Sequence, residues 1–428
     1  MINVRPFIAS CCMFFLLIVA MTHFNFFPFL NENLISVSRI SNTGDTTRQI
    51  TYSVIFIAAI GLSLSTFGYT FRRSYHLATI GLIAFWALLS LTWSSTPEVA
   101  GRRLVLFTMV VISLISITSN LQPRTLVISL LLPTGFIMIN NYYGIIFVGE
   151  TAIQGDSEYS AWRGLHSHKN SAGHISATSA IIWLFAGFVF IRYRLWLWLG
   201  AAAWAFFAYK SQSKSAWAAL VIMPVAGYMF AKFSRAPGAM AKMLLTMFVA
   251  LALLLVAVSF FSVEGLLDTA TGDASLTGRT NLWELVIEHV VDSPLLGVGY
   301  QSFWVVNGEA SALSVFDGWV GQAQQAHNGY LDVVLQMGFV GLAAVVLFLA
   351  APLVDSNRIG DSDFGITATY YSLWAYGLLV NFVESSIAKT DHIVWVYVMI
   401  AVFGLRQIAG GAGHSTSNVV VSVRSSQV

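Results

Sequence analysis

The chain has 428 residues, of which 57% are hydrophobic and only 10% charged, with a formal net charge of +2. A soluble domain carries about 25% charged residues, so the polar groups needed to cover a water-facing surface are missing. No basic tract marks a nucleic-acid partner, and the 14% of Phe, Tyr and Trp suits aromatic belts at two membrane interfaces.

A transmembrane helix takes about 20 apolar residues. Apolar runs predict twelve, near 7–28, 50–70, 77–93, 104–119, 125–147, 174–191, 195–209, 216–231, 243–262, 331–352, 365–383 and 392–408. The first is expected to be a retained helix, since its run is too long for a cleaved signal peptide and further spans follow. Cys11 and Cys12 are adjacent within it, which gives no route to a disulfide framework. The expected class is an all-α integral membrane protein: spans 1–9 in residues 1–262, a large periplasmic loop at 263–330, spans 10–12 in 331–408, and a flexible cytoplasmic tail at 409–428.

With the N-terminus in the cytoplasm, the inner side holds twelve basic residues against three acids (Asp355, Asp361, Asp363), and the outer side ten basics and seventeen acids. The inner loops are short and, before residue 350, basic without an acid, which predicts both termini in the cytoplasm. The longer connections, 29–49, 148–173 and 263–330, then lie outside. A 68-residue segment is too long for a structureless connector. It contains a predicted helix at 279–292 with Leu282, Trp283, Val286, Ile287 and Val290 on one arc and Glu284, Glu288 and Asp292 opposite. That pattern suits a helix on the membrane surface or against the bundle. No Asp, Glu, Lys or Arg falls near the middle of a predicted span, where an ion-coupled transporter would need one, and this places the expected working site at the outer surface.

Several outer polar segments are candidates. Arg163, His168, Lys169 and Asn170 gather donors just before a helix, whose N-terminus adds its own positive end; a diphosphate ligand and interfacial anchoring both account for them. Lys210-Ser211-Gln212-Ser213-Lys214-Ser215 puts two lysines in an outer loop, against the charge rule, with snorkelling and capping as the plain alternative. Arg279 opens the loop helix and offers a planar fork for phosphate. The glycines of Pro294-Leu295-Leu296-Gly297-Val298-Gly299-Tyr300 read as a sharp turn after it. His327, followed by Asn328, is the side chain best suited to moving a proton near neutral pH, although a lone histidine is more often structural. No ligand cluster at metal spacing accompanies it. Glu384, with Ser385, Ser386, Lys389 and Asp391, suits pairing with an arginine or orienting a sugar hydroxyl, or is an ordinary loop acid.

In order and spacing these segments resemble the O-antigen ligase and polymerase superfamily of bacterial envelope proteins, nearest to its exopolysaccharide polymerase branch. The matching residues are Trp93-Ser94 with Pro97, Arg163-Gly164 to His168-Lys169-Asn170, Ser213-Lys214, Gly278-Arg279 with Trp283, Pro294 to Gly299, His327-Asn328, Gly338-Phe339-Val340-Gly341 and Glu384-Ser385. The resemblance implies a periplasmic-face glycosyltransferase that takes sugars from undecaprenyl diphosphate, without cofactor or metal. Arg279 is then the expected holder of the donor diphosphate, with Arg163 and Lys169, and His327 the general base toward the acceptor hydroxyl. Lys214 departs from the arginine that many relatives carry after the serine, and a lysine cannot make the forked contact.

The leading expectation is a polymerase of lipid-linked repeat units, for exopolysaccharide or O-antigen. Its rival is a ligase that moves lipid-linked glycan to lipid A core. A rival of another class is a lipid-linked oligosaccharide flippase, which predicts charged residues lining a membrane-depth cavity. Expected partners are the undecaprenyl-diphosphate-linked donor, a glycan acceptor (a lipid-linked repeat or lipid A core), membrane lipids and a chain-length regulator.

Overall fold

The computed structural model describes residues 4–22, 46–64, 75–154, 160–234, 236, 238–253, 277–304, 323–359, 362–390 and 392–425, without side chains at 150, 277–281 and 411–425. The interiors of the loops after the first and ninth predicted spans, and the Arg279 side chain, lie outside the described residues. In chain order the main helices are α1 (Arg5–Thr22), α2 (Thr46–Ser63), α3 (Tyr75–Ser90), α4 (Pro97–Asn120), α5 (Pro123–Tyr143), α6 (Lys169–Val189), α7 (Arg194–Lys210), α8 (Lys214–Phe233), α9 (Ala239–Leu253), α10 (Thr277–Asp292), α11 (Gly329–Leu349), α12 (Phe364–Val380) and α13 (Ile393–Ser425).

A helix occupies each of the twelve apolar windows. Among the described residues seven segments are long and apolar enough to cross a membrane: Arg5–Thr22, Pro97–Asn120, Pro123–Val148, Lys169–Val189, Lys214–Phe233, Gly329–Arg358 and Ile393–Gly410. The remaining windows hold α2, α3, α7, α9 and α12, none longer than 18 residues. α13 continues as helix to Ser425, past the expected end of the last span. Cys11 and Cys12 are free thiols.

α12 forms the middle of the bundle. Every residue from Gly365 to Val380 is buried, as expected for a helix apolar on all sides, and it packs against α6, α8 and α13. Tyr370, Tyr371, Trp374 and Tyr376 fill this core, with the Trp374 indole donating to the Leu349 carbonyl at 2.9 Å. At the end of the bundle reached after α11, Asp355 is fully buried and needs cationic partners. It meets Arg406 Nη1 at 3.1 Å and His76 Nε2 at 3.0 Å, which ties α13 and α3 together there.

α11 is not continuous. Gly338 sits at φ 64°, ψ −174°, outside the helical region, and three rungs of the hydrogen-bond ladder are replaced. Phe339 N and Val340 N donate to the carbonyls of Pro294 (2.8 Å) and Leu295 (3.5 Å). The carbonyls of Leu335 and Gln336 accept from Val298 N and Gly299 N, each at 2.9 Å, and that of Met337 from the Trp86 indole at 2.8 Å. The Pro294–Gly299 stretch is therefore more than the turn expected from its glycines. It turns, with Gly297 N on the Ser293 carbonyl at 2.9 Å, and then runs as a backbone strip into the break. Gly297, at φ +69°, lies so close that a Cβ would enter the backbone of Gln336–Gly338.

α10 docks on the same end of α11. Leu282, Leu285 and Val286 are buried with Trp304, Ala323, Ala326 and Leu335. The expected arc is rotated: Leu285 is inside, whereas Ile287 is half exposed, because the partner is a protein surface on one side of the helix. Glu284, Glu288 and Asp292 face outward as predicted.

Candidate functional site

The site begins with one residue held from both sides. Ala326, just before His327, donates its N–H to the Asp332 carboxylate (3.2 Å to Oδ1) and accepts from the Trp283 indole at 2.8 Å. Asp332 also takes the Trp304 indole at 2.7 Å. Beyond His327, Asn328 N donates to Ser385 Oγ at 3.0 Å, and Gly329 N to the carbonyls of Asn381 and Glu384, each at 2.8 Å. The Asn328 side-chain oxygen caps α11 by accepting from Tyr330 N and Leu331 N at 3.1 Å. His327 itself has φ +50°, a left-handed conformation that costs a non-glycine residue free energy and persists only when its surroundings over-determine it.

Asn381 closes α12 and shapes the turn that faces His327. Its Oδ1 accepts from Ser386 N at 2.7 Å and Ile387 N at 3.2 Å. This turn delivers Glu384, for which the sequence left open pairing with an arginine, a sugar hydroxyl or an ordinary loop position; among the described residues its charged partners are histidines. It lies between two histidines: Oε2 is 3.4 Å from His327 Nδ1 and Oε1 is 3.8 Å from His174 Nε2. Burial alone would raise the Glu384 carboxyl, but the hydrogen bonds of both histidines outweigh it and hold the group well below the usual carboxylate range. His174 is buried and completes its coordination with Tyr376 OH at 2.6 Å on Nδ1 and Ser215 Oγ at 3.3 Å on Nε2. His327 is 23% exposed against 6% for His174, so His327 is the histidine that solvent or substrate can reach.

Gln325 and Lys389 complete the surroundings. Lys389 Nζ donates to Gln325 Oε1 at 2.7 Å and lies 3.8 Å from Asp332 Oδ2. Gln325 Nε2 stands 3.3 Å from His327 Nδ1 and 3.5 Å from Glu384 Oε2. Burial lowers the Lys389 pKa, against the pull of the Asp332 and Glu384 carboxylates.

The basic segment before α6 adjoins this centre. A two-stranded hairpin, β1 (Ile153–Gln154) and β2 (Ala161–Trp162), holds it: Arg163 Nε donates to the Thr151 carbonyl at 2.9 Å and Lys169 N to Gln154 Oε1 at 2.9 Å. His168 caps α6, its Nδ1 accepting from Asn170 N at 3.1 Å. Burial lowers the His168 pKa, and Lys169, His327 and Arg163 add to this against Glu384, so these groups share one electrostatic neighbourhood. His166 belongs to the scaffold. Its Nδ1 donates to the Met21 carbonyl at 3.0 Å and its Nε2 accepts from Asn141 Nδ2 at 3.2 Å, and burial pushes its pKa down to about 4. Lys214 is exposed in the first turn of α8, one residue from Ser215.

Of the residues picked from sequence, Arg163, His168, Lys169, His327 and Glu384 thus come together, Lys214 is placed only by its neighbour Ser215, and the Arg279 side chain lies outside the described residues. His174, Tyr376 and Gln325 were missed. His174 falls inside a predicted span, where an ionisable residue is itself a functional signal, but a search for Asp, Glu, Lys and Arg alone passes over it.

Comparison with known proteins agrees with this organisation. The chain is 27% identical over 325 residues to the exopolysaccharide production protein ExoQ of Rhizobium meliloti, covering 72% of this chain and 72% of that protein. It is 24% identical over 131 residues to a Rickettsia felis protein named "Putative polysaccharide ligase", covering 29% of this chain and 32% of that one. Residues 199–346, from α7 into α11, match the O-antigen ligase family model. This multi-pass membrane chain therefore carries an O-antigen ligase family domain, with His327 inside it.

Proposed function

We propose that the protein is a glycosyltransferase that polymerises undecaprenyl-diphosphate-linked repeat units at the periplasmic face of the inner membrane. The observation that carries this reading is the pairing of solvent-accessible His327 with the less exposed Glu384 on a strained backbone beside a cluster of cations. With Nδ1–H directed at Glu384, Nε2 of His327 carries the lone pair that acts as the base. It takes the proton of the acceptor hydroxyl as the oxygen attacks the anomeric carbon of the donor sugar. The bond from that carbon to the diphosphate oxygen breaks, its electron pair leaves with the lipid diphosphate, and the sugar carbon inverts. Glu384 stabilises the imidazolium that forms. Arg163, Lys169, Lys214 and Arg279 offer charge to the departing diphosphate, and His168 and the Asn328 amide nitrogen offer uncharged hydrogen-bonding groups to the substrate.

The outer placement is supported by the loop charges: the segments that build the site are those the charge pattern puts outside, and Asp355 with Arg406 and Arg358 marks the opposite end. The assay is reconstitution of the full chain in vesicles with a defined undecaprenyl-diphosphate oligosaccharide, reading product length on a gel. His327→Ala is expected to lower turnover about 10²- to 10⁴-fold, and polymer formation at the wild-type rate would end the assignment. A ligase is the second reading, favoured by the family match itself. It predicts single transfer to a lipid A core acceptor and no lengthening of the lipid-linked glycan.

A further inference from the structure

α10 has three faces instead of two. With successive residues 100° apart, Leu282, Leu285 and Val286 form the sector buried on the end of α11, and the exposed acids Glu284, Glu288 and Asp292 form a second. Between them on one side runs a third, made of half-buried Trp283 and Val290 with exposed Ile287 (50%) and Val291 (71%). Docking on the bundle accounts for the first sector and water for the second. A row of aliphatic side chains in water is unfavourable, so the third sector calls for a partner.

The surroundings identify it. Leu295 and Leu296, both exposed, follow in the turn after α10. That turn is bonded to the apolar half of α11 at its first residues, through Phe339 N on the Pro294 carbonyl at 2.8 Å and Val340 N on the Leu295 carbonyl at 3.5 Å. Phe339 and Val340 are themselves exposed, and with Ala343, Val346 and Leu347 they make one face of the helix. No residue of α11 from Gly329 to Gly338 is exposed. Apolar exposure thus begins at the break, in a segment long and apolar enough to cross a membrane, and the row below the break is the face that meets lipid. The exposed side chains of the Pro294–Gly299 strip adjoin that row and extend the same surface toward α10.

We propose that α10 is an interfacial helix whose partner is the membrane itself. Ile287, Val291, Leu295 and Leu296 enter the acyl-chain boundary of the leaflet on the His327 side, while Glu284, Glu288 and Asp292 stay in water. The two settings expected from the sequence, the membrane surface and the bundle, then apply to different faces of one helix. Membrane-surface helices are often rich in Lys and Arg on the polar face; here that face is acidic, so apolar burial and not headgroup charge holds the contact. The proposal goes beyond the glycosyltransferase reading and does not depend on it. It also sets a height for the candidate site. The turns of α11 from Gly329 to Met337 rise roughly 13 Å at about 1.5 Å per residue, and a headgroup layer is about 5–7 Å deep. An upright α11 therefore lifts His327 past the headgroups, to the level at which the glycan of a lipid diphosphate would begin. Trp283, in the lipid-facing sector, holds the Ala326 carbonyl at 2.8 Å and links this seat to the residue beside His327.

The test places a photoreactive diazirine amino acid at one position at a time in the full chain. The protein is reconstituted in phosphatidylcholine vesicles without polyprenyl lipid, illuminated, and its adducts identified by mass spectrometry. At Ile287, Val291 and Leu295 acyl-chain adducts of phosphatidylcholine are expected, at about 10-fold the level at Glu288, with Val346 as the positive control. Glu288 is expected to give water adducts. Val291 is more exposed than Ile287 and carries the test if the Ile287 variant does not fold. Water adducts at Val291 and Leu295 as frequent as at Glu288 overturn the proposal. Adducts to peptides of this chain or of a second copy show that protein covers the face, and overturn it too. So do lipid adducts that form only once undecaprenyl diphosphate is added, which would assign the face to the chain of the substrate. Each of these outcomes leaves the glycosyltransferase reading in place, since that reading is decided by His327→Ala.

Discussion

The indole nitrogen of Trp283 donates to the carbonyl of Ala326 at 2.8 Å, and so joins α10 to the residue that precedes His327. Through this contact α10 steadies the residue next to His327 without itself touching the histidine. Trp283→Phe keeps most of the buried ring and removes the bond. The expected result is a fall in kcat of about 10-fold with little change in melting temperature, because a net hydrogen bond is worth about 1 kcal/mol. Unchanged kcat in the vesicle assay would mean that His327 is held without the loop helix.

In the proposed reaction His174 has a positioning role one step behind His327, through Glu384. With Tyr376 OH donating to its Nδ1, His174 presents Nε2–H toward Glu384 Oε1 and leaves Oε2 for His327. His174→Gln is expected to lower kcat about 10-fold, leave the substrate KM unchanged and shift the acidic limb of the pH–rate profile. The shift separates a positioning role from plain loss of packing, which would lower the amount of active protein and leave the profile where it was.

The pH dependence of stability has two separable parts. His166 has its folded pKa lowered to about 4 by burial, whereas an unfolded histidine titrates near 6.5. Protons then favour the unfolded chain, so stability falls as pH drops from about 6.5 to about 4 and is level below. The span of about 2.5 pH units corresponds to at most about 3 kcal/mol. His166→Gln, which does not titrate, is expected to flatten the melting temperature across that window. Glu384 is also held below its ordinary value, and its contribution is present above about pH 4.3 and lost only as the pH falls through the lower folded value. Melting curves of Glu384→Gln and wild type are therefore expected to converge below pH 4, not between 4.3 and 6.5.

Among the described glycines at positive φ, Gly338 has the closest backbone contact for an added methyl group. At φ +64° its Cβ would strike the Leu295 carbonyl, whereas a Cβ at Gly61 meets nothing within 4 Å. Gly338→Ala is expected to cost several kcal/mol, through strain and the clash together, and Gly61→Ala to be neutral or slightly stabilising. Comparable yields of folded protein for the two variants would contradict the docking of the Pro294–Gly299 strip.

Much of this was legible in the sequence because the bilayer imposes a one-dimensional code. Apolar length marks the helices, and inner loops such as Arg192-Tyr193-Arg194 mark the orientation used in the proposed function. His327 was legible as a proton carrier, and Glu384 as a polar residue at the right end of a helix. Their partnership was not, since 57 residues separate them and only the turn shaped by Asn381 brings them together. His174 was hidden by its apolar neighbours. The break in α11 was hidden because Gly338 lies in a run whose hydropathy is the highest of the seven candidate spans, and hydropathy does not sense the φ angle of one residue.

That break has a mechanical consequence. The turns of α11 between Gly329 and Met337, which carry Asp332 and follow directly from His327, are bonded at their lower edge to Val298, Gly299 and Trp86 instead of to the turn below. Tilt or stretch of the apolar half, such as a thinner or thicker bilayer imposes, finds no unbroken ladder by which to reach the base. The His327 end of α11 is held by the Pro294–Gly299 strip as much as by the span, and its geometry is insulated from the apolar half.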